Sequence, residues 1–221
     1  MITSNRIVKL DMARTFAILC VVLCHCSEMI YTQQSVKVAE LGISSRIFMF
    51  GTFTIGRLGV PIFLYLSGIL LLKKTIDSDE DIFKFYKNNL FPLFVVNEIW
   101  VILYKLYGVF VLNEKFIFGD LIRELLLLKN STMVNMWYMP MIIGLYIGIP
   151  LLAKIVKSFS FKVICPIMLA IFIFEYIEPM LNVFVRIFNF KETFYSDMNI
   201  PYMGAAYGLY LLIGYYIYNN K

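Results

Sequence analysis

Long apolar runs constrain this chain more than any other feature. About six stretches of roughly twenty residues lack period-two alternation and carry few charges, and that is the length a helix needs to cross a bilayer. Backbone polar groups in lipid must be satisfied within the segment or within a closed barrel, and unbroken runs choose helices over barrel strands. The chain is 60% hydrophobic and 16% charged, whereas a soluble domain is about half apolar and a quarter charged. The expected fold class is all-α, a polytopic helical membrane protein with about six transmembrane helices. The lipid bilayer is its first partner. The net charge of +5 reads as orientation signal and membrane-surface contact, with no nucleic acid expected.

The first helix is expected over Asp11–Tyr31 and the second over Arg46–Leu72. The third follows over Leu90–Leu112, the fourth over Met136–Ala153, the fifth over Val163–Leu181 and the sixth over Pro201–Tyr218. The charged stretch TIDSDEDIFKFYKNN reads as a short amphipathic helix at the surface. FGDLIRELLLLKN is too short and too charged to span, and is laid in the interface or a loop. Trp137 and Tyr138 look like belt aromatics. Gly204, Ala205, Ala206, Gly208 and Gly214 allow close packing of the last helix. Six crossings place both termini on one side, and the lysines mark it as the inner one: Lys73, Lys74, Lys84 and Lys87 fall there, as do Lys154, Lys157 and Lys162. No cleavable signal peptide, repeat or linker is evident, so residues 1–221 read as a single transmembrane domain.

Ionisable groups inside spans are costly and are functional candidates by default. The stretch Arg6–Tyr31, with its basic end around Arg6, holds two of them: Arg14 and His25, the only histidine of the chain. They stand eleven positions apart, which is three helical turns plus about 20°, so both point the same way some 16 Å apart along the axis. A neutral imidazole can accept a proton near neutral pH, as a general base must, and Glu28, one turn on, can hold its other nitrogen. The bland alternative is a hydrogen-bonded packing histidine. Arg14 can hold a phosphate or carboxylate, or merely anchor the helix at the interface. Arg57 lies deep in the second helix beside Gly56, Gly59 and Pro61, which loosen the backbone there. Glu98 and Lys105, seven residues apart on one face, read as an internal pair. Glu175 and Glu178 sit near a helix end and either approach the outer water or serve function. Cys20, Cys24 and Cys26 flank His25, but adjacent helical positions diverge by about 100°, which suits tetrahedral ligation poorly. They read as buried packing residues, no metal is expected, and with Cys165 they form no disulfide framework.

At these residues the chain resembles the acyltransferase 3 family of bacterial integral membrane acyltransferases. LDMARTFAILCVVLCH carries the arginine and histidine of the family's first helix. GRLGVPIFLYLSGILL is similar to its arginine-bearing second helix, MWYMPMIIGLYIGIPLL to a later Trp-Tyr to Pro helix, and YGLYLLIGYYI to its Gly-Tyr helix. The resemblance implies an O-acyltransferase of the plasma membrane, amino terminus cytoplasmic. Cytoplasmic acyl-CoA, most often acetyl-CoA, would be a co-substrate, with no further cofactor. The acceptor would be a hydroxyl on a cell-surface glycan or its lipid-linked precursor. By the same resemblance Arg14 and Arg57 bind or orient the donor, His25 is the base or acyl relay, and Glu28 and Ser67 support it. Family members usually carry more helices, which implies a chain shortened at its carboxyl end. The alternatives are a polysaccharide export component or a truncated member that turns nothing over.

Overall fold

The computed structural model describes residues 8–30, 40–129, 134–188 and 205–219, and every regular element among them is helical. Arg6, Tyr31, Pro201 and Gly204, named above, lie outside the described residues. The elements are α1 (Val8–Glu28), α2 (Ile43–Gly56), α3 (Gly59–Leu71), α4 (Asp79–Phe85) and α5 (Phe91–Phe110). There follow α6 (Phe118–Leu125), α7 (Tyr138–Ser158), α8 (Phe161–Phe172), α9 (Glu178–Ile187) and α10 (Ala205–Asn219). Among the described residues five stretches are long and apolar enough to cross a membrane: Val8–Glu28, Ile43–Leu71, Asp79–Phe110, Tyr138–Ser158 and Phe161–Val185. The sixth expected span is represented by the 15 residues of α10.

Three spans depart from uniform helices, and each departure has a proline behind it. The third begins earlier than expected: the amphipathic α4 runs straight into α5 through a π turn, Tyr86–Leu90. The fifth likewise passes from α8 to α9 through a π turn, Ile173–Ile177. In each case a proline follows two residues later, Pro92 and Pro179. Lacking an N–H, it cannot close the ladder, and the preceding turn widens to re-pair its carbonyls. In the first π turn the Asn89 amide also donates to the Phe85 carbonyl at 2.9 Å. The expected single second helix is two, α2 and α3, broken at Arg57–Leu58. Pro61 has no N–H for the Arg57 carbonyl, and glycines flank the break.

The chain divides into two compact units, Met1–Lys73 with Leu209–Lys221, and Lys74–Gly208. In the first, α1 buries Ala17, Cys20, Cys24 and Ser27, a stripe of small side chains at helical spacing that lets neighbouring backbones approach. A side chain at Gly68 would strike the Leu211 backbone, and one at Gly214 the Tyr65 backbone. The α3–α10 seam is thus built on two glycines, and Tyr65 and Tyr210 meet edge to face with centroids 5.3 Å apart. In the second unit α7 buries Ile142, Leu145, Ile149, Leu152 and Val156. Tyr86 Oη donates to the Ile147 carbonyl at 2.9 Å. The short α6 is pinned to α5 by Lys105 Nζ and Glu124 Oε1 at 2.8 Å. Outward faces are apolar: Phe16, Leu19 and Val22 on α1 and Ile99, Trp100 and Leu103 on α5 are exposed, as faces turned to lipid are.

Candidate functional site

The break between α2 and α3 sets the site. The Arg57 N–H still closes on the Phe53 carbonyl at 3.0 Å, and the Leu58 N–H on that of Ile55 at 3.1 Å. Regular helix resumes with the Ile62 N–H on the Leu58 carbonyl. Gly56 and Gly59 bracket the break and press it against α1. A Cβ on Gly56 would stand 2.7 Å from the Cys24 Cα, and one on Gly59 would stand 2.8 Å from the Ala17 carbonyl oxygen. Only glycine permits that approach. Side chains leaving the break therefore start almost on the surface of α1.

Three ionisable side chains of the first unit gather there. His25 Nδ1 and Glu28 Oε2 are 3.2 Å apart. With Glu28 as the acceptor of this contact, Nδ1 is assigned the proton and Nε2 is left as the ring's acceptor. The other oxygen of Glu28 stands 3.8 Å from Arg57 Nη2. The guanidinium lies over the Phe53 ring, 4.8 Å from its centroid, and is 61% exposed. Alongside, Ser27 Oγ donates to Thr52 Oγ1 at 3.3 Å, and Thr52 donates to the Phe48 carbonyl at 2.9 Å, tying this end of α1 to α2. The result is an oriented imidazole with a basic nitrogen, a carboxylate behind it, and a cation at the carboxylate's far side. That set can take a proton from a hydroxyl and stabilise the imidazolium that results.

Arg14 is not part of this cluster. Its Nη1 lies 2.9 Å from Asp11 Oδ1, one turn back on α1, and about 16 Å of helix separates it from His25. Ser67 is half-buried on α3, about 12 Å of helix beyond Gly59. The expected Glu98–Lys105 pair is not formed: Lys105 pairs with Glu124, and Glu98 accepts from the Asn97 amide at 3.0 Å. Asn97 is itself fully buried, and its Oδ1 has no hydrogen-bond partner among the described residues. Sequence reasoning passed over Phe53 and Thr52. For Phe53 the signal was its place four residues before Arg57, on the same face; Thr52 meets Ser27 of α1 through packing that no local spacing encodes. Glu175 lies in the π turn before α9, half-buried, and Glu178 opens α9.

Compared with known protein families, the chain matches the acyltransferase 3 family model, described as an acyltransferase domain, over residues 7–221. No curated protein and no solved structure matches it.

Proposed function

The chain belongs to the acyltransferase 3 family, and on that premise we propose that it is a membrane O-acyltransferase with His25 as its base. It would move an acyl group, acetyl in the simplest case, from acyl-CoA to a hydroxyl of a cell-surface carbohydrate or its lipid-linked precursor. The observation that carries the reading is the cluster of His25, Glu28 and Arg57, drawn together from two helices in a chain that matches an acyltransferase family almost end to end.

The chemistry is as follows. The acceptor hydroxyl gives its proton to His25 Nε2 as its oxygen attacks the thioester carbonyl. Glu28 stabilises the imidazolium through Nδ1–H. The carbon–sulfur bond breaks, and the thiolate takes the proton back from the ring, leaving ester and free CoA thiol. Such a positioned base contributes about a hundred- to ten-thousand-fold in rate. Arg57, a guanidinium beside the imidazole, orients the donor or its acyl group. Arg14 lies toward the amino end of the same helix, where a cytoplasmic donor would enter, and would meet the donor first. Support for a cytoplasmic amino terminus is the lysine-rich set of connections on that side.

Mass spectrometry of surface glycans tests the reading. His25→Ala should remove the acyl ester while protein level and glycan amount stay at wild type. Retained ester in that variant ends the proposal, and loss of the glycan itself would point to an export role.

A further inference from the structure

Lys74 precedes the crossing Asp79–Phe110 and Lys157 stands in the last turn of the next, Tyr138–Ser158, so both residues fall at one side of the membrane. They meet directly, Lys157 Nζ donating to the Lys74 carbonyl at 2.6 Å. An open cleft of about 340 Å³ lies here, lined among others by Lys74, Lys84, Phe85, Asn88 and Asn89. A water takes about 30 Å³, so a phosphate group fits with part of its hydration.

The charges in this cleft are unbalanced. The Lys74 ammonium meets Asn89 Oδ1 at 3.0 Å and stands 5.5 Å from the Phe85 ring centroid, two neutral partners. Lys74 is exposed as a residue, and partial desolvation on the cleft holds its pKa below the ordinary lysine value. Lys84 lies on the same cleft. The carboxylate among the lining residues is Asp81, which feels the Lys84 charge while one of its oxygens is tied to the start of α4. Its Oδ2 accepts from the Ser78 hydroxyl at 2.9 Å and from the Ser78 and Asp77 amides at 3.2 Å. That capping box starts α4 and occupies one of the two carboxylate oxygens. Two ammonium groups on the cleft stand against one carboxylate, and the Asn88 amide adds neutral donors. This is the donor set of an anion site, with lysines as point charges.

We propose that this cleft holds a phosphate group, and that the phosphate belongs to the acyl donor, either the diphosphate or the ribose phosphate of acyl-CoA. The donor assignment rests on the function proposed above, whereas the phosphate site stands on the cleft alone. An anionic lipid headgroup offers the same chemistry, and the experiment separates the two.

The full chain is placed in nanodiscs of zwitterionic lipid, and calorimetry measures the binding of CoA and of inorganic pyrophosphate. Wild type is compared with Lys74→Met, Lys84→Gln and, as a control of equal charge change, Lys154→Met. Lys154 is exposed on α7 and away from the cleft lining. Losing a charge-assisted contact should weaken CoA and pyrophosphate roughly tenfold or more in each cleft variant, against less than about twofold in the control. Equal losses in all three variants, or none, overturn the site. If wild type binds pyrophosphate in a Lys74-dependent way but not CoA, the cleft stands and the acyl-CoA reading fails. If Lys74→Met leaves CoA untouched but lowers retention of phosphatidylglycerol in mixed nanodiscs, the donor assignment is overturned in favour of lipid. Lys84, like Lys74, is exposed, and Lys84→Gln keeps the test decisive if Lys74→Met does not fold.

Discussion

His25 Nδ1 sits 3.2 Å from Glu28 Oε2, one helical turn further along α1. The pairing fixes which ring nitrogen is protonated, and so which is basic. Glu28→Ala leaves the tautomer unset and should lower kcat by roughly a hundredfold or more, with little change in KM. Glu28→Gln keeps an acceptor but loses the charge behind the imidazolium, and should fall between that variant and wild type. Steady-state kinetics of ester formation in nanodiscs decides it. An unchanged kcat in Glu28→Ala would return His25 to a packing role.

Arg57 reaches Glu28 only because Gly56 lies against Cys24. Gly56→Ala forces its new Cβ onto the Cys24 backbone, where nothing flexible can yield. The α2–α3 break should move off α1, with about 1–3 kcal/mol lost in stability and activity lost beyond what the lower stability explains. Gly51→Ala is the control on the same helix, since a Cβ there meets nothing within 4 Å. Thermal unfolding and turnover of the two variants, measured side by side, test this. Equal behaviour would show that the close approach is not needed.

What the residues disclose in advance follows the range of the forces involved. A membrane-crossing helix satisfies its own backbone, so apolar length alone was enough to place Val8–Glu28 and Tyr138–Ser158 within a few residues. The His25–Glu28 pair was legible for the same reason, being a one-turn relation on one helix. The proximity of Glu28 to Arg57 was only half legible. Gly56, Gly59 and Pro61 signalled a loosened backbone, but which helix the glycines would touch depends on packing. The partner of Lys105 was misread because Glu98, seven positions away on the same helix, looked sufficient. The actual partner, Glu124, arrives only once α6 folds back on α5, and no local pattern encodes that.

The Lys105–Glu124 pair is the most enclosed ion pair described, with the two side chains 10% and 1% exposed. Removing one member strands the other away from water, so Lys105→Met should cost about 3–5 kcal/mol. Replacing both, Lys105→Met with Glu124→Leu, should recover most of that loss, since an apolar pair needs no compensating charge. Thermal unfolding of the two single variants and the double variant makes a double-mutant cycle. Simple addition of the two single effects would show the groups to be uncoupled.

Asp120, in the first turn of α6, stands 2.7 Å from Lys129 Nζ and 3.8 Å from Arg123 Nη1. The Lys129 hydrogen bond, aided by the charges of both cations, holds its carboxyl below the ordinary value of 3.8. A carboxyl depressed in the folded state binds its proton more readily when unfolded. Its contribution is therefore present above the unfolded value and fades as pH falls from about 4 toward the lower folded value. The melting temperature of wild type should exceed that of Asp120→Asn near pH 7, and the gap should close below about pH 4. Because the pair is partly exposed, added salt should narrow the gap at pH 7 as well. A gap that stays constant from neutral to acid pH would mean that the carboxylate charge does not hold α6 in place.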